Sequence, residues 1–263
     1  MSLLSFLSRP EYEVFGPHGG IAMNLTLPRA FDPAKSKCPI VILMHGFMSR
    51  KDAYPIPAIA EALAREGIAS IRFDFDAHGR SEGRFIDMTI SSEIADAKAV
   101  LDYARSLPYV TKVALLGHSQ GGVVAGMLAG QLEDTPDRPE CLVQLAPAAV
   151  LKDDAIAGQC MFSKYDAANP PEYVNVMFHK LGRKFILEAQ KLPIFETSAK
   201  YGGKVLLIHG EKDKIVPVSY SRRYHEVYPS SELRLLKEEG HMLSGDKQAL
   251  IQMVVLFLKG NLK

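Results

Sequence analysis

The feature that most constrains the fold is a regular alternation of short apolar runs with longer helical patterns. Strands with continuous apolar character, separated by helices, are typical of a parallel sheet that is covered on both faces. The sequence therefore predicts an α/β fold with a doubly wound, mostly parallel sheet. The predicted strands are 38–45, 68–75, 112–117, 141–146, 204–210 and 233–237, and the predicted helices lie near 55–66, 91–106, 120–132, 219–228 and 246–259.

The alternation stops over residues 148–198, a stretch rich in Lys, Asp, Tyr, Phe and Met in which we find no strand pattern. An insertion of this length in a compact domain is usually a lid or a binding element. We expect residues 1–147 and 199–263 to form the core domain and residues 148–198 to form a lid over the strand ends. Near the N-terminus, runs 11–15 and 21–28 predict an antiparallel pair.

The charge balance limits the classes of partner. The chain has 31 Lys and Arg against 30 Asp and Glu, interspersed, with a formal charge of +1. No part of it has the single-sign charge that nucleic acids or anionic membranes attract, so we expect neither as a partner. The N-terminus lacks a signal-peptide pattern and the longest apolar run is too short to cross a bilayer, which predicts a cytoplasmic protein. The oligomeric state is open, a homodimer included.

One strand-to-helix junction carries the pattern G-x-S-x-G, as GHSQG at residues 117–121. In such a turn the serine projects above the sheet, and Gly117 and Gly121 remove Cβ atoms that would collide with neighbouring backbone. A phosphate-binding loop is excluded because no Lys-Ser or Lys-Thr pair follows the glycines. The pattern therefore predicts that Ser119 is a nucleophile.

A serine hydroxyl is a weak nucleophile near neutral pH, so Ser119 needs a general base and an acid that orients the base. Asp213 follows the strand 204–210, and His241 follows the last predicted strand. Both would lie at the same sheet edge as the serine, in the chain order Ser, Asp, His. Glu211 is the alternative to Asp213 as the orienting acid.

Other polar residues near these strand ends are assigned structural roles. His209 lies inside an apolar strand and His118 neighbours the nucleophile, and we expect both to serve packing. The segment FDFDAHGRSEG contains Asp74, Asp76 and His78, but its glycines and alternating charges favour a bracing loop over a metal site. We expect no metal and no cofactor.

Two backbone amides are candidates to bind the oxyanion that develops during acyl transfer. One belongs to Gln120, which follows the nucleophile and begins a helix, so the helix dipole adds to its effect. The second belongs to Phe47, because Gly46 lets the chain turn sharply after the strand 38–45.

The motifs HGF, FDFDAHGRSEG, GHSQGG, HGEKDKIVP and EGHML occur in the order found in the α/β-hydrolase superfamily, which the chain resembles. More narrowly, GHSQGGVVAGMLAG, then LAPAAVLKDDA and a lid that ends in LPIFETSAKY, is similar to the bacterial intracellular cinnamoyl and feruloyl esterases. The resemblance implies a triad of Ser119, Asp213 and His241 with oxyanion amides from Phe47 and Gln120. It also implies that a lid side chain reads phenolic hydroxyls, and Asp154 matches that position.

Apolar and aromatic lid residues could line a slot for a flat ring, with Asp154 or Gln159 as its hydrogen-bond partner. The same residues could instead form the lid's own core. The predicted function is a serine carboxylesterase that acts on hydroxycinnamate esters, with a small-molecule ester as its partner. The alternatives are a general short-chain carboxylesterase or monoacylglycerol lipase, and a non-catalytic ligand receptor of the same fold. The slot candidates are Met161, Phe162, Tyr165, Tyr173, Met177, Phe178 and Phe185.

Overall fold

A computed structural model describes residues 12–262. Its strands, in chain order, are β1 (Val14–Gly16), β2 (Gly19–Ile21), β3 (Met23–Thr26), β4 (Cys38–Met44), β5 (Ala69–Phe73), β6 (Val110–His118), β7 (Cys141–Leu145), β8 (Gln159–Cys160), β9 (Ser163–Lys164), β10 (Tyr173–Val176), β11 (His179–Gly182), β12 (Lys204–Gly210) and β13 (Ser231–Leu236). Its helices are α1 (Ile56–Arg65), α2 (Ile90–Ser106), α3 (Gln120–Gln131), α4 (Val150–Ala157), α5 (Arg183–Ala189), α6 (Ile194–Ser198), α7 (Ser219–Val227) and α8 (Lys247–Leu262). Among these helices, none is long and apolar enough to span a membrane.

The centre of the molecule is a seven-stranded sheet in the order β13-β12-β7-β6-β4-β5-β3. Every neighbouring pair is parallel except β3 and β5, which are antiparallel. The prediction of a doubly wound, mostly parallel sheet is therefore confirmed. In parallel strands the carboxyl ends meet at one edge, so the loops after β4, β6, β12 and β13 open onto the same side of the molecule.

The two faces of the sheet are covered by different helices. Side chains alternate across the strand β4, so Ile40 and Ile42 join the core beneath α2 and α3, whereas Val41 and Leu43 join the core beneath α1 and α8. All four side chains are fully buried. This double burial explains why the central strands read as continuous apolar runs.

The N-terminal pairing differs from the prediction. Strand β1 pairs with β2, with Val14 opposite Ile21, through a two-residue turn. Strand β3, which the sequence pairs with the first strand, instead forms the antiparallel edge of the main sheet beside β5. The reason lies at Ala22, whose N–H donates to Ser81 Oγ at 2.8 Å and whose carbonyl accepts from Asp74 N–H at 2.9 Å. These bonds lie between β2, which pairs with β1, and β3, which pairs with β5.

The lid segment contains strands that the sequence pattern does not reveal. Two antiparallel hairpins, β8–β9 and β10–β11, lie between α4 and α5. Each turns through two residues, and the first of them, Met161 or Met177, has a positive φ of 52° or 53°. That position in a tight hairpin turn usually carries glycine. The expectation of no strands was wrong because the turns lack this signature and the strands are very short.

Candidate active site

Ser119 occupies the sharp turn between β6 and α3. Its φ of 56° and ψ of −122° lie in a region that residues other than glycine rarely adopt. A Cβ on Gly117 would lie 2.0 Å from the carbonyl oxygen of Gly121, and one on Gly121 would lie 2.3 Å from the carbonyl oxygen of His45. Only glycines permit this close approach, and the turn holds the serine at the carboxyl end of the sheet.

A continuous chain of hydrogen bonds links the serine to the loops after β12 and β13. His241 Nε2 lies 2.9 Å from Ser119 Oγ, and His241 Nδ1 lies 2.7 Å from Asp213 Oδ2. Because the carboxylate accepts the Nδ1 proton, Nε2 is left free to take a proton from the hydroxyl. The structure therefore brings together the three side chains that the sequence nominated, in the arrangement that activates a serine.

The Asp213 carboxylate is completely buried and fully hydrogen-bonded. Its Oδ1 accepts from the N–H groups of Ile215 and Val216 at 2.8 Å and 2.9 Å. Burial alone would raise the pKa of this carboxyl, but hydrogen bonds from two histidines and a backbone amide outweigh burial and hold the pKa well below its usual range. The alternative acid, Glu211, is exposed. The geometry favours Asp213 as the acid that orients the imidazole.

His209 has a contact that sequence reasoning missed. Its Nε2 lies 3.1 Å from Asp213 Oδ2 and 3.0 Å from the Val216 carbonyl oxygen, and its Nδ1 lies 2.7 Å from Ser221 Oγ. Both Nε2 partners can only accept, so the Nε2 proton is shared between them. His209 is a buried core histidine, as expected, yet it also holds the Asp213 carboxylate. The available signal was its position at the end of β12, four residues before the acid.

His118 likewise does more than pack. Its ring lies 5.1 Å from the ring of His241, and its Nε2 donates to the His241 carbonyl oxygen at 3.0 Å. Burial lowers the pKa of His118 to about 4, so the ring is neutral near pH 7. The side chain therefore anchors the backbone of the loop that carries His241.

The loop after β4 passes directly over the serine. A Cβ on Gly46 would lie 2.8 Å from Ser119 Cβ, so only glycine fits at this point. The next residue is Phe47, and neither its N–H nor that of Gln120 has a hydrogen-bond acceptor within residues 12–262. Two unsatisfied amides beside a nucleophile are the donors that an oxyanion requires.

The segment after β5 braces this loop, as its composition predicts. His78 Nδ1 donates to the Asp76 carbonyl at 2.9 Å, which leaves Nε2 to accept the Met48 N–H at 3.2 Å. Asp74 accepts the Lys51 N–H at 2.6 Å and the Lys51 ammonium at 3.3 Å. Within residues 12–262 no group of His, Cys, Asp or Glu is arranged to hold a metal ion.

A cluster of buried acids lies behind the serine turn. The side-chain amide of Gln120 donates to Glu93 Oε2 at 2.8 Å. Burial, and then the charge of Asp76, raise the pKa of the Glu93 carboxyl well above its usual value. The hydrogen bond to Glu93 fixes the side chain of Gln120, whose backbone N–H is one of the two candidate oxyanion donors.

The lid brings together some predicted ligand residues and separates others. Asp154 Oδ1 accepts from Gln159 Nε2 at 2.7 Å, and the hydroxyl of Tyr165 donates to the Gln159 carbonyl at 3.2 Å. The buried ring of Phe185 lies 6.1 Å from the ring of Phe47. These residues form a polar group and an aromatic wall at the base of the lid.

Four other slot candidates lie elsewhere. Met161, Phe162, Met177 and Phe178 occupy the turns of the two lid hairpins, where their side chains are exposed. The prediction that these four line an apolar slot was wrong, because a two-residue hairpin turn directs its side chains away from the body of the lid.

Comparison with known proteins agrees with this architecture. Residues 35–168, about half of the chain, match the family described as serine aminopeptidase, S33. The structure of Est1E from Butyrivibrio proteoclasticus with bound ferulic acid is 29% identical, with a TM-score of 0.86 over 92% of this chain and 95% of that chain. Mouse palmitoyl-protein thioesterase ABHD10 is 26% identical over 91% of this chain and 76% of its own length. The monoacylglycerol lipase of Mycolicibacterium smegmatis is 23% identical over 76% of this chain and 85% of its own length.

The matched residues contain the central strands β4, β5, β6 and β7 and the strained turn at Ser119. The family match also confirms the superfamily that the sequence motifs resemble. The chain belongs to the serine aminopeptidase S33 family of α/β-hydrolases.

Proposed function

We propose that this protein is a serine esterase that hydrolyses hydroxycinnamate esters of the feruloyl or caffeoyl type. The family and its relatives support a serine hydrolase of the esterase or thioesterase type. The observation that carries the reaction is the unbroken hydrogen-bond chain from Asp213 through His241 to Ser119.

In the first half of the reaction, Ser119 Oγ attacks the ester carbonyl carbon while His241 Nε2 takes the hydroxyl proton. The negative charge that develops on the carbonyl oxygen is stabilised by the N–H groups of Phe47 and Gln120. The tetrahedral intermediate collapses, the C–O bond to the alcohol breaks, and the imidazolium returns its proton to the leaving alcohol. An acyl-enzyme on Ser119 remains.

In the second half, His241 takes a proton from water, whose oxygen attacks the acyl carbon. The intermediate expels the Ser119 oxygen, which regains its proton from the imidazolium, and the free acid leaves. Asp213 remains ionised throughout and stabilises the imidazolium. Every proton transfer uses these side chains, so the proposal requires no cofactor and no metal.

The base of the lid supports an aromatic acyl group. Helix α4 starts at Val150, two residues after Ala148, whose N–H donates to the Ser119 carbonyl at 3.1 Å. Asp154 is the fifth residue of α4, about 6 Å along the helix axis from Val150 at roughly 1.5 Å per residue. We propose that the acyl group extends along this short helix, with its carbonyl at the serine and its ring hydroxyl at the Asp154 carboxylate. The rings of Phe47 and Phe185 would contact its faces.

Asp154 has an acceptor available for such a hydroxyl. Gln159 occupies Oδ1, whereas Oδ2 accepts no hydrogen bond from residues 12–262. The related Est1E structure contains ferulic acid, a phenolic acid of this class. Asp154 and Gln159 are therefore proposed to recognise the ring hydroxyl, with Tyr165 supporting Gln159.

A substrate panel tests the proposal against its closest alternatives. We expect kcat/KM for methyl ferulate and methyl caffeate to exceed the values for p-nitrophenyl esters of short and medium acyl chains. A steady rise with acyl-chain length would instead indicate a general esterase or a monoacylglycerol lipase. A fluorophosphonate probe should label wild-type protein and fail to label Ser119→Ala. Absence of labelling in the wild type would indicate a non-catalytic ligand receptor.

A further inference from the structure

The two lid hairpins end in a compact apolar surface. The lid tips, which we define as Met161, Phe162, Met177 and Phe178, have exposed fractions of 42%, 91%, 62% and 94%. Single exposed apolar side chains are common on protein surfaces, but grouped ones indicate an interaction site.

A hydrogen bond between the two hairpins brings their tips near each other. Ser163 Oγ, the first residue after one turn, donates to the carbonyl of Asn175, which lies two residues before the other turn. Because Ser163 adjoins one turn and Asn175 lies two residues from the other, this contact brings the two turns close together. The four apolar side chains therefore belong to one surface.

Neither local geometry nor packing explains the choice of residues at these turns. Met161 and Met177 hold positive φ angles, where glycine would be free of strain. The phenylalanine that follows each methionine is almost completely exposed, so it contributes little to the lid's own core. The same Met-Phe pair at both turns adds backbone strain and exposes apolar area, which is consistent with a role in binding.

The charged side chains within the two hairpins are all basic. Neither 159–164 nor 173–182 contains Asp or Glu, and each tip is followed two residues after its phenylalanine by an exposed lysine, Lys164 or Lys180. The Lys180 ammonium lies 4.2 Å from the ring centroid of Tyr173, within the same hairpin. Aromatic and aliphatic side chains flanked by lysines are suited to the boundary between acyl chains and anionic headgroups.

We propose that the lid tips insert into an anionic lipid surface, with Lys164 and Lys180 at the headgroup phosphates. The charge balance of the whole chain predicts no membrane partner, but it averages over a surface on which the fold concentrates apolar and basic residues at one end of the lid. A second copy of the chain docked tip to tip would bring lysine against lysine, so charge complementarity favours lipid. The inference is separate from the proposed reaction, because binding is measured without turnover.

The test is sedimentation of the full chain with vesicles of phosphatidylcholine alone or mixed equally with phosphatidylglycerol. We expect binding to the mixed vesicles. The variant F162S/F178S should lower the partition coefficient about ten-fold or more, because each phenylalanine loses its apolar contact with the acyl chains. The variant K164Q/K180Q should lower it roughly 25-fold on mixed vesicles, from about five-fold per lysine, and leave binding to pure phosphatidylcholine unchanged.

Leu256→Ser is the matched control, because Leu256 has an exposed fraction of 60% on α8, outside the lid. Its binding should equal that of the wild type, and the melting temperatures of all variants should show that they are folded. Failure of the wild type to bind mixed vesicles would overturn the proposal, as would equal binding by F162S/F178S. A molar mass by light scattering that falls from dimer to monomer in F162S/F178S, without vesicle binding, would assign the surface to self-association instead.

Discussion

At the scale of single residues, the reaction depends first on Ser119. Replacing it with alanine removes the attacking oxygen and leaves the strained turn and the oxyanion amides in place. We expect kcat/KM for methyl ferulate to fall by about a thousand-fold or more, because only binding and oxyanion stabilisation remain. A circular dichroism spectrum and a melting temperature close to those of the wild type would confirm folding. Retention of more than about a thousandth of the activity would identify another nucleophile.

The buried Asp213 and the exposed Glu211 form a matched pair of carboxylates in one loop. Asp213→Asn removes the charge that stabilises the imidazolium and favours the wrong tautomer of His241, so we expect kcat to fall about 10³- to 10⁴-fold with little change in KM. Glu211→Gln should change kcat less than about two-fold. Steady-state kinetics on methyl caffeate distinguishes the two, and a severe loss in the glutamine variant alone would reverse the assignment.

His209 acts through Asp213, so we interpret it as a positioning residue. Its Nε2 proton stabilises the ionised carboxylate, and its removal should raise the pKa of Asp213 toward the usual value. In His209→Gln we expect kcat to fall about ten-fold, from a charge-assisted hydrogen bond of roughly 1.5–3 kcal/mol. We also expect the acid limb of the pH–rate profile to move to higher pH. A lower melting temperature with an unmoved acid limb would indicate a purely structural role.

At the scale of elements, helix α4 carries the proposed specificity of the lid. If the Asp154 carboxylate binds a phenolic hydroxyl, Asp154→Ala should lower kcat/KM for methyl caffeate about 10- to 100-fold, since a charged hydrogen bond contributes roughly 1.5–3 kcal/mol. Methyl cinnamate lacks the hydroxyl, so its kcat/KM should fall far less in this variant. Both esters meet the same triad, so the comparison separates recognition from chemistry.

The neighbouring Asp153 provides the control for this experiment. Its carboxylate accepts the Tyr220 hydroxyl at 2.6 Å, so Asp153→Ala removes an equal charge from the same helix without affecting the proposed ligand contact. We expect Asp153→Ala to change kcat/KM for methyl caffeate and for methyl cinnamate by the same factor. Equal losses on both esters in Asp154→Ala would mean that this residue supports the lid's structure, and a general esterase would then be the better assignment.

At the scale of the whole molecule, the buried acids behind the serine turn couple stability to pH. Asp96 is fully buried on α2 and accepts the Asp76 N–H at 2.7 Å. Burial, and then the nearby charge of Asp76, raise the pKa of the Asp96 carboxyl to about 8. The folded chain therefore keeps a proton that the unfolded chain loses above about pH 4. The free energy of unfolding should decrease as pH rises from about 4 to about 8.

Asp96→Asn removes this ionisation with little change in the shape of the side chain. Within residues 12–262, Oδ1 of Asp96 has no hydrogen-bond partner, so an amide at this position breaks no hydrogen bond of Oδ1. We expect the melting temperature of the variant to exceed that of the wild type at pH 8, by about 2–4 °C for each kcal/mol gained, and the difference to close toward pH 4. Differential scanning calorimetry across this range measures it. Asp102→Asn, at an exposed position on the same helix, should show no such trend. A constant difference between Asp96→Asn and wild type would contradict the argument.

The sequence by itself determined the elements whose signals are local. The central strands are buried on both faces, so their apolar runs predict both their positions and their parallel arrangement. The glycines around Ser119 reveal the strained turn because no other residue fits there. Asp213 and His241 could be selected because each lies in the loop after a strand, and parallel strands end at one edge.

The tertiary structure alone decided the features that depend on contacts between distant segments. Strand β3 could not be assigned to the main sheet in advance, because the bonds of Ala22 to Ser81 and Asp74 select its partner. The contact between His209 and Asp213 depends on how the chain folds back after β12. The proximity of the two lid hairpins rests on contacts such as the hydrogen bond from Ser163 Oγ to the Asn175 carbonyl. Composition and periodicity report which faces of a segment are buried, whereas these contacts arise only when separate segments meet.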